Sequence, residues 1–153
     1  MRFASSEDVV ATIKRLEVEA WQEARKLTNA LYELTSEGRF ARDFGLRHPI
    51  RQAAVSVMSN IAEGFERGGA KEFIQFLSLA KGSAGEIRSQ LYVAFDQQYL
   101  SQTQFDDLAN QALQIGRLLA GFMNYLKKSQ MGGVKYKPAG TRPETRNQRL
   151  QTS

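Results

Sequence analysis

Arg39, Arg42, Arg47 and Arg51 fall within thirteen consecutive residues, opposed there only by Asp43. Guanidinium groups at that density beside a helix start can hold phosphates, because the first N–H groups of a helix also favour anions. The same spacing suits solvated arginines that pair with acids elsewhere in the chain. A second basic set closes the sequence: Lys127, Lys128, Lys135, Lys137, Arg142, Arg146 and Arg149 stand against Glu144 alone. Tyr136 lies between Lys135 and Lys137, where its ring could stack a base while the flanking cations meet phosphates. A merely solubilising tail has the same composition. Residues 1–126 carry 14 Lys and Arg against 15 Asp and Glu, so the net charge of +5 arises wholly in residues 127–153, at +6. Charge so placed points to a polyanionic partner, RNA or DNA.

Other chemistry has less material. Without cysteine there is no disulfide, thiolate metal site or cysteine nucleophile. His48 is the only histidine, and no serine stands in an evident His–acid pattern. Glu63 and Glu86 could in principle share acid–base work or a metal. Di-metal bundles build such sites on Glu-x-x-His pairs, which this chain lacks. Both are read instead as hydrogen-bonding or inter-subunit groups. GFERGG at residues 64–69 has neither a preceding strand nor a Walker lysine and reads as a turn. The expectation is therefore no enzyme, no cofactor and no metal.

The elements that must position these residues are helical. Prolines occur only at 49, 138 and 143, which leaves a long stretch free of helix breakers. Ser5, Ser6, Glu7 and Asp8 suit a helix start, with residues 9–16 forming a short separate helix or a lead-in. A first long helix is expected over residues 17–36, with Trp21, Ala24, Leu27, Leu31 and Leu34 on its core face and Gly38 ending it. Residues 39–48 read as a short connection, and Pro49 suits the first turn of the next helix. There Ile50, Ala54, Val57, Ile61 and Phe65 form an apolar stripe, with Ser56, Ser59, Asn60 and Glu63 interspersed, Gly64 near the end and Gly68 and Gly69 closing the run. A third helix over residues 70–97 carries Phe73, Leu77, Ala80, Ala84, Ile87, Leu91 and Ala94, widened by Phe76 and Phe95. Within it Gly82 and Gly85 each cost about 1 kcal/mol against alanine, which implies close approach of a neighbouring backbone. Ser101 or Thr103 caps a fourth helix, where Phe105, Leu108, Ala112, Ile115, Leu119, Phe122 and Leu126 hold the alternation of threes and fours.

From Ser129 that period vanishes. The fold class expected is all-α: an up-down-up-down four-helix bundle over residues 1–128, with a lead-in at 1–16 and a mobile basic tail at 129–153. No stretch reaches signal-peptide or membrane-span character, so a cytoplasmic protein is expected, with no membrane partner.

Several segments also carry a family likeness. FGL at 44–46, AAVS at 53–56 and SNIAEG at 59–64 resemble the four-helix-bundle proteins encoded in intervening sequences of bacterial large-subunit ribosomal RNA genes. KEFIQFLSLAKGSAGEI at 71–87 resembles that family's second signature, and the likeness runs from about Trp21 to Lys128. Pro49, Gln52 and Met58 depart from its pattern, where Gln, Arg and Pro are usual. The resemblance implies a closed ring, usually a pentamer. Ser56, Asn60, Glu63, Gly64, Gly82, Gly85 and Glu86 lie in its motifs as packing or assembly positions. The architecture is also similar to accessory proteins of diversity-generating retroelements, which implies a nucleic-acid role and a reverse transcriptase or other protein partner. The alternative is an assembly or adaptor bundle with no nucleic-acid role.

Overall fold

The computed structural model describes residues 5–129, all of whose regular structure is helical. The five helices are α1 (Ser6–Leu34), α2 (Gly38–Arg42), α3 (Phe44–Arg67), α4 (Ala70–Asp96) and α5 (Gln102–Ser129). The expected mobile tail falls on residues 130–153, outside the described residues, while Ser129 closes α5.

α1 starts earlier than the long helix expected at residue 17 and is continuous. Asp8 N–H donates to Ser5 Oγ at 3.1 Å and Ser5 N–H to Asp8 Oδ2 at 3.4 Å, a capping box that satisfies two otherwise orphaned donors. Ile13 and Glu17 then continue the buried face into Ala20 and Trp21, so nothing separates a lead-in from the main helix. Trp21 is a core residue, as its stripe position implied. At the other end Gly38, expected to terminate the first helix, instead opens α2 with a positive φ of 62°. Helix α2 buries Phe40, whose ring lies 5.1 Å from that of Tyr99.

The segment before Pro49 is likewise helix rather than loop. Asp43 caps α3 by accepting from Leu46 N–H at 3.2 Å. Pro49 therefore sits in the second turn and not the first, which leaves the Gly45 carbonyl without its helical donor. α3 ends where Gly68 adopts a φ of 82°, the left-handed cap that glycine takes without a Cβ penalty. Gly68 and Gly69 are the turn that the GFERGG reading anticipated, though residues 64–67 remain helical. α5 takes Ser101 as its cap: Gln104 N–H donates to Ser101 Oγ at 3.1 Å and Ser101 N–H to Gln104 Oε1 at 2.8 Å. Replacing Ser101 with Ala should cost about 1 kcal/mol and lower the melting temperature by roughly 3–5 °C. An unchanged melting curve would show that the cap is dispensable.

Cross-helix pairs give direction. Thr28 Oγ1 donates to the Ala54 carbonyl at 3.3 Å and Arg51 reaches Thr35, so α1 and α3 run antiparallel. Ser56 meets Ser83 while Phe65 meets Phe73, which sets α3 against α4 the same way. Phe73 against Phe122 and Phe95 against Phe105 do so for α4 and α5. α1 closes the cycle by packing on α5 as well as α3. A single core results, with Phe40, Phe73 and Phe122 its largest fully buried side chains.

Candidate nucleic-acid interface

The arginine cluster lies at the end of the bundle where α1 finishes and α3 begins, and the structure divides it. Arg51 is spent on the fold. Its Nε donates to Thr35 Oγ1 at 2.7 Å, its Nη2 to the Tyr32 carbonyl at 3.2 Å and to Ser36 Oγ at 3.1 Å. The guanidinium also lies 4.2 Å from the centroid of the Tyr32 ring. A cation thus joins the Ser36 hydroxyl, which donates at 2.6 Å, on the Tyr32 carbonyl at the negative end of α1. Arg47 likewise caps the end of α2, donating to the Ala41 carbonyl at 2.9 Å. Both side chains are half-buried.

Arg39 and Arg42 remain exposed. With Asp43 and Tyr99 they line an open depression of about 550 Å³. Arg39 stacks on the Tyr99 ring at 5.3 Å. The Tyr99 hydroxyl donates to Asp43 Oδ2 at 2.8 Å, so Asp43 caps α3 with one oxygen and anchors the α4–α5 connection with the other.

That hydrogen bond raises the Tyr99 pKa above the ordinary tyrosine value. Desolvation and the Asp43 charge add to the effect, and Arg39 opposes it. A raised value means the protonated form is favoured in the folded state. Its stabilising contribution is complete below the ordinary tyrosine pKa of about 10 and is lost as pH rises through the raised value. Tyrosinate absorbance of wild type and Tyr99→Phe should differ by one tyrosine titrating above the ordinary range. A missing tyrosine that titrates at the ordinary value would show the bond to be absent in solution.

Lys127 and Lys128 are exposed in the last turn of α5. That helix starts near Tyr99 and runs 28 residues away from it, roughly 40 Å, so these lysines and the Arg39–Arg42 pair occupy opposite ends. Lys135, Tyr136, Lys137, Arg142, Arg146 and Arg149 lie outside the described residues.

The motif residues of α3 and α4 also separate. Asn60 Nδ2 donates to the Ser56 carbonyl at 2.9 Å and to Ser56 Oγ at 3.0 Å, and Ser56 Oγ bonds Ser83 Oγ at 3.0 Å, a polar seam between the two helices. Gly64 is packed face-on: a Cβ there would lie 2.6 Å from Phe73 Cδ1 and 2.8 Å from Phe76 Cβ. Gly82 and Gly85 behave oppositely, since a Cβ at either meets nothing within 4 Å. The close backbone neighbour expected for them is therefore not found within the described chain. Glu63 pairs with Arg67 one turn on, at 3.2 Å and half exposed, a contact of small energetic weight. Glu86 is exposed, and the α3–α4 register holds it at a different level from Glu63, so the two form no carboxylate pair. His48 is exposed and stacks on Phe44 with centroids 5.7 Å apart.

Three residues escaped the sequence reading. Ser83 meets Ser56 and Asp43 meets Tyr99 across long stretches of sequence, which periodicity does not register, while the cap of Asp43 on Leu46 is local. Glu17 is fully buried; its place between Ile13 and Ala20 on the α1 stripe was the available signal. Among the described residues, no group of three or more His, Cys, Asp or Glu is placed to hold a metal. No helix among them is long and apolar enough to cross a membrane.

Comparison with known proteins follows the same lines. Residues 16–121 match the family described as 23S rRNA-intervening sequence protein. A search of curated proteins gives no match. Among solved structures, the chain is similar to a protein of unknown function from the S23 ribosomal protein family of Bacteroides thetaiotaomicron. The two share 17% identity with a TM-score of 0.65, over 71% of this chain and 98% of that one. At that identity the likeness speaks to the fold.

Proposed function

The chain belongs to the 23S rRNA-intervening sequence protein family, and from that premise we propose that it is a non-enzymatic, cytoplasmic, ring-forming protein that binds structured RNA. The antiparallel cycle α1, α3, α4, α5 is read as an up-down-up-down four-helix bundle, five copies of which close the ring. The observation that carries the reading is charge segregation: a body at −1 and a C-terminal segment at +6. A pentamer would gather +30 in such segments, enough to steer polyanions and to make affinity steeply salt-dependent. Arg39 and Arg42 supplement them at one end of the body. The protein acts as an accessory to a reverse transcriptase or a ribonucleoprotein, a role supported by the likeness of its architecture to accessory proteins of diversity-generating retroelements.

The test compares the full-length protein with a full-length variant in which Lys135, Lys137, Arg142, Arg146 and Arg149 become Gln. Neutralising is preferable to truncating after residue 126, because α5 continues to Ser129 and Leu126 is buried. Fluorescence anisotropy with a labelled RNA hairpin and a duplex DNA, at two salt concentrations, should show binding by the wild type that falls steeply with salt. The variant should bind at least ten times more weakly. No binding by wild type at low salt would overturn the reading. Light scattering should return about five times the 17.2 kDa chain mass; a monomer would remove the ring.

A second reading, an assembly or adaptor bundle, is favoured by exposed apolar side chains on α3 and α4. Val55, Leu79, Tyr92 and Val93 are 42–59% exposed. It predicts the same mass without RNA binding.

A further inference from the structure

The face between α4 and α5 holds charges that neither sequence pattern nor the fold explains. A groove of about 530 Å³ runs there, lined by Lys81 and Arg88 from α4 and Arg117 from α5, with Gly82, Gly85 and Gly116 among its floor residues. Among the described residues, no acidic one lines it. All three cations are exposed, and among the described residues none of them has a carboxylate within ion-pair distance. Lys81 and Arg88 stand two turns apart on one helix, roughly 10 Å, with Arg117 facing them from the other. Arg117 also marks the limit of the positive surface. On its other side, toward α1, Arg117 also lines a separate hollow of about 410 Å³ together with Glu19 and Glu23, whose carboxylates would repel an anion there.

The floor is as informative as the rim. Glycine is a poor helix former, and three glycines here have no packing reason among the described residues, since a Cβ at any of them would meet nothing within 4 Å there. What their absent side chains leave is room for another molecule's backbone beside three cations.

We propose that the α4–α5 groove is a nucleic-acid contact site, in which Lys81, Arg88 and Arg117 hold phosphodiester groups and the glycine floor admits the sugar–phosphate backbone. The inference rests on the RNA-binding reading above and adds to it a surface on the ordered body, distinct from the C-terminal cations and from Arg39 and Arg42. Contacts of this kind position a strand without reading its sequence. Binding through the groove is accordingly sensitive to salt and indifferent to base composition.

The test uses the full-length protein and the same labelled RNA hairpin. The triple variant K81Q/R88Q/R117Q removes the charges; G85L fills the groove without altering charge. Both sites are open to solvent, so melting curves should match wild type or, for G85L, exceed it. The proposal predicts at least tenfold weaker binding by the triple variant at low salt. Its log-affinity against log-salt slope should be shallower by about 2–3, the share of three phosphate contacts. G85L should weaken binding with the slope retained for the charges that remain. If wild type binds and the triple variant binds equally well with an unchanged slope, the groove assignment is wrong and the C-terminal reading stands alone. If the variants change the mass of the assembly and leave RNA affinity untouched, the groove is a protein interface and the proposal falls. If wild type binds no nucleic acid at low salt, both readings fail together.

Discussion

Replacing Gly64 with alanine should lower stability by about 2–3 kcal/mol, the upper part of the range for forcing extra carbon into a filled core. That corresponds to a melting temperature lower by on the order of 10 °C. The added Cβ would meet Phe73 Cδ1 at 2.6 Å and Phe76 Cβ at 2.8 Å. Neither can yield cheaply. Phe73 is fully buried and held edge-on against Phe122 at 4.9 Å and Phe65 at 6.2 Å. The Phe76 contact is made by its Cβ, which moves only with the α4 backbone. Relief therefore requires α3 and α4 to part at the end where Gly68 and Gly69 join them, and the core they share opens with them. Gly82→Ala and Gly85→Ala are the internal comparison. Both positions are open, so alanine's helix propensity should show directly as a gain of about 1 kcal/mol each. Thermal melts of the three single variants decide the matter. If Gly64→Ala melts with wild type, or the two α4 variants fall with it, the packing difference between these glycines is wrong.

Arg51→Met should cost about 2 kcal/mol by chemical denaturation while leaving RNA affinity unchanged. Hydrogen bonds from a charged donor contribute more than neutral ones, and here one guanidinium serves Thr35, Ser36 and the Tyr32 carbonyl. Stacking on Tyr32 adds a cation–π term. Methionine keeps the stem and loses the fork. Lysine keeps the charge but has no planar fork to reach three acceptors at once, so Arg51→Lys should recover only part of the loss. Arg39→Gln and Arg42→Gln should do the reverse, weakening RNA binding with stability within about 0.5 kcal/mol of wild type. A loss of RNA affinity in Arg51→Met without loss of stability would return Arg51 to the binding surface and contradict its role in closing α1.

How far the amino-acid sequence reaches can be judged from these same residues. The all-helical character, the α4 and α5 stripes, the Ser101 cap and the burial of Trp21 were legible, because apolar period and capping are local properties carried within a few turns. The family's motifs were legible too, being contiguous strings. Boundaries went astray at residues 6–16 and 38–49, where a capping box extended α1 and Asp43 started α3 ahead of Pro49. In both places side-chain capping outweighed the composition of the segment: two hydrogen bonds between Ser5 and Asp8 in the first, one from Leu46 N–H to Asp43 in the second.

The candidate site was less accessible. Four arginines in thirteen residues look equivalent in the sequence, yet Arg51 is committed by partners 15 to 19 positions earlier, Arg47 by a carbonyl six positions earlier, and only Arg39 and Arg42 face solvent. Gly64, Gly82 and Gly85 likewise carry the same propensity cost, and only the arrival of Phe73 and Phe76 beside the first separates them. Local pattern was enough to place the four long helices, though not their ends, to show which face each buries and to show where net charge accumulates. The tertiary structure alone decided which cations are free, which glycines are crowded and which charges share a groove, because those properties belong to the space between helices, and the spacing along any one of them does not contain it.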